Sequence, residues 1–303
     1  MSEEVYHIPV MLKECIEALD IKPNGTYVDV TFGGGGHSKA ILERLSEDGR
    51  LFAFDQDPDA VNNAIEDDRF CLIEENFDKL EESLKLYRAN KVDGILADLG
   101  ISSHQIDCAE RGFSTRFDGA LDLRMNYQKG LTASDVVNSY SLQELCRILN
   151  DYGELPNAYN IAKVIVSKQE EGLFTTAELI EVLTKSGCVP KGKENKFFAK
   201  VFQALRIEVN QELSCLRNML EQCAKVMVAD ARLVVMSYHS LEDRLVKNYM
   251  KAGNCDGVVS KDFYGNVISP FEVLTRKPMM ATEEEMEMNP RSRSAKLRIA
   301  KMK

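Results

Sequence analysis

Three aspartates and a histidine sit where short apolar runs end. Asp29 lies in "VDVTFGGGG", Asp55 closes "LFAFD", Asp98 closes "GILAD", and His239 follows "LVVMSY". A carboxylate leaving a buried run can cap the next segment, grip hydroxyls or receive an amine. Behind the first run stand Gly33, Gly34, Gly35 and Gly36, followed directly by His37. A main chain without side chains admits a phosphate, admits a nucleoside that carries none, or makes a tight strand-to-helix turn. Gly33-x-Gly35-x-x-Ser38 matches the dinucleotide fingerprint except for its third glycine. Asp55 comes roughly twenty residues on, the spacing of an acid that holds ribose hydroxyls. Asp29 places a further acid before the glycines, suited to a cationic amino-acid end and repelling a pyrophosphate. That tilts the choice towards S-adenosylmethionine over NAD.

These residues need a sheet to bring them together. Thr26–Val30, Leu51–Phe54, Phe70–Ile73 and Val92–Leu96 read as buried parallel strands, and Ser38–Leu45, Pro58–Ile65 and Asp78–Tyr87 as the helices between them. This alternation predicts an α/β, Rossmann-like, mostly parallel sheet with right-handed crossovers. In such a sheet ligands lie at the carboxyl ends of the strands, where the strand order reverses. After Asp98 the rhythm breaks into an aperiodic stretch, 105–130. Helical patterns follow at Ser141–Tyr152, Asn157–Glu170 and Thr175–Ser186, and then a long amphipathic run from Phe198 to Met227. Arg232–Ser237 returns as a strand, and segments near Phe271–Thr275 and Lys296–Ala300 complete the sheet. The expected organisation is a discontinuous domain, 1–104 and 208–303, with a helical insertion, 105–207.

Composition narrows the function classes. No apolar run of the 303 residues reaches membrane-spanning length, and MSEEVYHIPV lacks the order of a secretory signal. A cytoplasmic protein without a membrane partner is expected, as a monomer or homodimer. Eight cysteines stand singly, so reduced, mostly buried thiols are expected rather than disulfides or a zinc cluster, and four histidines without ligand spacing predict no catalytic metal. The net charge of −10 confines any nucleic-acid footprint to local patches. One patch is 190–206, which includes Lys200 and Arg206, and another is the tail from Arg291. Just past Asp98, Arg111, Phe113, Arg116, Phe117 and Arg124 mix cations with aromatics, as a loop that clamps phosphates and stacks a base would. Satisfied arginines in a structural loop would read the same way. Phe77 either lies along an adenine or fills the core. His239 either orients a base and takes a proton, or packs beside a helix start capped by Ser240 with Asp243 completing the box.

Taken together, "TFGGGGHS", "DLGISSHQID", "ERGFS", "DGALDLRM", "FQALRIEVNQEL", "SYHSLEDRLVK" and "NPRSRSAKLR" resemble the MraW-type ribosomal RNA small-subunit methyltransferases, which methylate cytosine N4. The matches run in order from His7-x-Pro9-Val10 to Arg298. The resemblance implies a class I S-adenosylmethionine-dependent methyltransferase fold with a helical insertion for substrate recognition. It implies cofactor contacts at Gly35, Gly36, His37, Asp55, Phe77, Asp98 and Gln105, and the small ribosomal subunit or its RNA as partner. The chain departs from the family at Gly153-Glu154-Leu155-Pro156, commonly Gly-Glu-Glu-Arg, and at Lys196–Lys200, usually His-Pro-Ala-Thr-Arg. Amine methylation needs no covalent nucleophile, whereas methylation of a ring carbon needs a thiolate from a Pro-Cys or Thr-Cys site. Neither dipeptide occurs. Asp98 is therefore the expected amine-holding group, with His239 as a second catalytic candidate. The rival classes are a NAD-dependent oxidoreductase and a non-enzymatic RNA-binding scaffold.

Overall fold

A computed structural model describes residues 9–303, so His7 of the first motif lies outside the described residues. The chain forms two units, one of residues up to Gly100 together with Leu213–Lys303, the other Ile101–Glu212.

The first unit is built on seven strands: β1 Thr26–Asp29, β2 Arg50–Phe54, β3 Phe70–Ile73, β4 Val92–Asp98, β5 Met227–Ser237, β6 Phe271–Val273 and β7 Lys296–Met302. Their spatial order is β3-β2-β1-β4-β5-β7-β6, with β7 antiparallel to both its neighbours and the other pairings parallel. The expected α/β class is the observed one. The chain winds outward from β1 to β3 and then returns to the other side of β1 as β4, so the order reverses between β1 and β4. Alternation along each strand divides the interior into two cores. Val28, Ile95, Ala97, Leu233 and Val235 pack on one face with α3 (Leu80–Leu86), α10 (Glu212–Val226) and α11 (Ser240–Ala252). Tyr27, Leu96, Val234 and Met236 pack on the other with α1 (Leu12–Leu19) and α2 (Gly36–Leu42). Both faces are covered, which is why these strands read as unbroken apolar runs.

The second unit holds α4 (Ser103–Asp107), α5 (Ala133–Ser139), α6 (Leu142–Asp151), α7 (Ala158–Val166), α8 (Thr176–Lys185) and α9 (Glu194–Asn210). Leu145, Ile148, Leu149, Ile161, Ile165, Leu179, Val201 and Leu205 form its core. Thr132, Ser141 and Thr175 each close a capping box with an acid three residues on, which starts α5, α6 and α8. Each box satisfies amides otherwise left bare and is worth about 1 kcal/mol.

Several expected boundaries move. The run from Phe198 to Met227 is two helices, because Gln211 takes a left-handed backbone (φ +51°) and ends α9. The units divide after Gly100 and Glu212, whereas the expected boundary at 207/208 would cut α9 in its last turn. Pro58–Asn63 is a 3-10 helix rather than an α-helix; Asp57 caps it by accepting the Asp59 amide.

Candidate active site

The glycine turn leaves β1, and its four glycines serve different ends. Gly33 and Gly35 have φ of +51° and +74°, a region that favours glycine. A Cβ on Gly36 would lie 2.3 Å from Pro9 Cγ, so this glycine is required by packing. Gly34 has no positive φ, and a Cβ there would meet nothing within 4 Å. Neither fold nor neighbours demand a glycine at 34, and the main chain there is open to a ligand. Gly34→Ala is therefore expected to leave the melting temperature within about 1 °C, a surface-like effect, while weakening cofactor binding about tenfold. Gly36→Ala is expected to destabilise the fold by about 1–3 kcal/mol through overpacking against Pro9. Thermal melts paired with titration calorimetry separate the two.

Asp55 follows β2 and ties the turn down. Its Oδ2 accepts the Gly33 amide at 2.7 Å and its Oδ1 the Asp57 amide at 2.8 Å. Each oxygen retains a lone pair for a hydroxyl. Burial pushes its pKa up to about 6, against the opposing pull of those two amides. Phe77 opens a 3-10 turn after β3 and is half-buried, one side packed on the core below.

Asp29 does not do what the sequence suggested. It is 1% exposed, and its oxygens accept from the Ser38 hydroxyl at 2.7 Å and the Thr31 amide at 3.0 Å. The carboxylate lies beneath the turn and braces it from inside. It is enclosed too completely to meet a cofactor's amine.

Asp98 ends β4, beside β1 at the reversal point. Its amide donates to Thr31 Oγ1 at 2.6 Å, and its Oδ1 accepts the Tyr238 phenol at 2.7 Å. Oδ2 lies 3.8 Å from His37 Nδ1. The side chain keeps 23% exposure. Burial nevertheless raises its pKa to about 6, with His37 and the Tyr238 hydrogen bond pulling the other way. His37 is 5% exposed, and burial lowers its pKa, so it is neutral at pH 7. It hydrogen-bonds the Val10 backbone, while Nε2 is buried with no hydrogen-bond partner among the described residues. A buried imidazole nitrogen without a partner is a group suited to meet something polar.

His239, not Ser240, is the N-cap of α11. Its Nδ1 accepts the Glu242 amide, and Glu242, not Asp243, completes the box by accepting the Tyr238 and His239 amides. Asp243 instead holds Arg298 of β7 through two hydrogen bonds of 2.7 and 3.1 Å. His239 Nε2 stands 3.1 Å from Glu242 Oε1 without hydrogen-bond geometry. Its structural duty is plain, and a proton-accepting role has no support from these contacts. Tyr238 was missed in the sequence, although it stands between a strand end and a capping box, where its direction is fixed.

The remaining expected residues belong to the second unit. Gln105 is buried and its carbonyl oxygen accepts the Ser102 amide in the cap of α4. Arg111 is 7% exposed, donates to the Arg124 and Met125 carbonyls and lies over the rings of Tyr127 and Phe113. Phe113 is core. Arg124 is held by both oxygens of Asp122, and Arg206 by both of Glu212. Lys200 donates to the Glu154 carbonyl at 3.1 Å. Arg111, Arg124 and Arg206 are thus held by local partners, Phe113 is packed in the core, and Lys200 makes one exposed hydrogen bond. Arg116 and Phe117 are exposed. The Lys200–Glu154 contact also shows that the two departures from the family pattern touch each other.

Two carboxylates at the ends of β2 and β4, an open main-chain turn between them and a buried orphan imidazole suit a ligand rich in hydroxyls with a cationic end, and both acids repel a pyrophosphate. With one antiparallel strand in the order β3-β2-β1-β4-β5-β7-β6, this arrangement is that of a class I S-adenosylmethionine-dependent methyltransferase. The chain belongs to the MraW methylase family, whose sequence model matches residues 4–303. It is 51% identical over 301 residues to the ribosomal RNA small subunit methyltransferase H of Parabacteroides distasonis, covering 99% of this chain and 98% of that one. The protein of the same name in Flavobacterium johnsoniae is 52% identical over 296 residues, 97% of each chain. An rRNA methylase structure from Streptococcus thermophilus aligns at a TM-score of 0.36 and 11% identity over 98% of each chain, too distant to add to the argument.

Proposed function

We propose that this protein transfers a methyl group from S-adenosylmethionine to the exocyclic N4 amine of a cytidine in small-subunit ribosomal RNA. The observation that carries the reading is the placing of Gly34, Asp55 and Asp98 at the ends of three neighbouring strands, β1, β2 and β4, of a chain in this family. When bound, the cofactor supplies an activated methyl: the N4–carbon bond forms as the carbon–sulfur bond breaks, and that electron pair returns to sulfur.

The chain's own residues do the rest. Asp55 accepts the ribose hydroxyls, Phe77 offers its exposed side to the adenine, and Gly34 leaves room for the nucleoside. A cytosine amine is a poor nucleophile because its lone pair is delocalised into the ring. Asp98 accepts one N–H, turns the lone pair out of conjugation and stabilises the cation that forms as nitrogen gains carbon. The extra proton leaves through Asp98 or to water. His37, neutral and buried, donates from Nδ1 to the Val10 carbonyl and so accepts at Nε2, where it would fix the base or the cofactor's polar end.

The second unit is assigned to RNA recognition, with Arg116 and Phe117 as its exposed cation and aromatic. A base in a loop is cheaper to splay out than a paired one, which suits a ribosomal target. Among the described residues no helix is long and apolar enough to cross a membrane. The reading is tested by incubating labelled S-adenosylmethionine with small ribosomal subunits lacking this modification and analysing the nucleosides. Label in N4-methylcytidine is expected. Binding of subunits without transfer would favour the scaffold.

A further inference from the structure

We propose that Tyr238 is a positioning residue for the methylation reaction, its phenol fixing the direction and the charge of Asp98. The inference rests on the reading of Asp98 as the group that receives the amine.

Three contacts place the phenol. Tyr238 is the first residue after β5, and its amide donates to Glu242 Oε2 at 3.0 Å, so its backbone is locked to the start of α11. Its ring packs against Gly100, where a Cβ would come within 3.4 Å of Tyr238 Cδ2. The hydroxyl then donates to Asp98 Oδ1 at 2.7 Å. The other end of Asp98 is fixed through its amide on Thr31. A carboxylate anchored at one oxygen by a rigid donor is fixed in plane, which aims the other, here Oδ2, the oxygen that also lies towards His37. Without the phenol it turns freely about χ2.

The charges around Asp98 come from every side. The phenol favours its ionised form, and His37 of α2 does so only when protonated; Asp29 of β1 and Glu242 of α11 oppose it, and Cys15 of α1 lies within its field. Burial and Asp98 itself push the phenol's pKa far above its ordinary value, so Tyr238 donates at every working pH and never competes for the proton. Its part is to keep Asp98 an acceptor, aimed.

Tyr238→Phe removes one oxygen and preserves the ring packing. The expected result is a kcat lowered roughly 10- to 100-fold, the loss of one preorganised donor, with the KM for S-adenosylmethionine within about twofold. The acid limb of the rate profile should also move to higher pH, because the anion has lost a stabilising donor. A purely structural tyrosine would lower the melting temperature and leave the profile in place. Unchanged kcat and unchanged pH profile in Tyr238→Phe, with Asp98→Asn inactive, would overturn the proposal and spare the role of Asp98. An active Asp98→Asn would remove that role itself.

Discussion

Asp98→Asn is expected to lower kcat by about 10³-fold or more while S-adenosylhomocysteine still binds within a few-fold of wild type. The side chain keeps its size and can still accept the Tyr238 hydrogen bond. What disappears is the negative charge facing a nitrogen that turns cationic in the transition state. Removing one preorganised electrostatic partner from an enclosed site costs about 3–4 kcal/mol, and loss of a proton acceptor adds to it. In the wild type the same group sets the acid limb. Burial raises its pKa to about 6, so kcat/KM should climb through that pH and level off above it. The substitution carries a second signature. A carboxyl whose pKa is raised on folding stabilises the protein most below its unfolded value near 3.8 and loses that contribution as the pH rises through about 6. A neutral amide does not incur this loss, so the ligand-free Asp98→Asn protein should be more stable than wild type above that pH, by on the order of 1–3 kcal/mol. Inactivity with a raised melting temperature is hard to reconcile with misfolding. It is the trade expected of a group kept for chemistry.

Asp55→Ala is expected to weaken S-adenosylhomocysteine binding by about 100-fold or more. Two hydroxyls donating to one carboxylate are charge-assisted bonds of about 1.5–3 kcal/mol each. Part of the loss is indirect, because the same carboxylate holds the Gly33 amide and with it the conformation of the turn. Asp55→Asn separates the two contributions, since its carbonyl can still accept from Gly33 while the charge is gone. The wild-type affinity should also fall as the pH drops through about 6, where Asp55 takes up a proton. In Asp55→Asn that dependence should flatten. Titration calorimetry over that range measures both, and an affinity indifferent to Asp55 would move the ribose elsewhere.

The sheet was legible because its strands are covered on both faces. "VDV", "LFAF" and "GILAD" carry no polar alternation, and only a doubly covered parallel sheet asks for that. Asp55 and Asp98 were legible for a related reason: a charge at the end of such a run has few places to go except the crevice. Asp29 misled because sequence cannot tell a carboxylate in front of a glycine turn from one beneath it. That depends on Ser38, nine residues on, turning inward to meet it at 2.7 Å. Two arginines of 105–130 misled in the same way. Asp122 pairs with Arg124 and main-chain carbonyls satisfy the donors of Arg111, and composition alone does not distinguish a satisfied guanidinium from an exposed one such as Arg116. His239 shows that a capping histidine mimics a serine cap in sequence, with the box moved by one residue.

Where the adenosine lies decides the roles of Asp55, Gly34 and Asp98. The most direct measurement is a crystal structure of the protein soaked with S-adenosylhomocysteine. The expected density places the ribose hydroxyls on Asp55, the nucleoside over the main chain of Gly34, and the sulfur turned towards Asp98. A nucleoside bound away from the Gly33–Gly36 turn, or a sulfur directed away from Asp98, would contradict it.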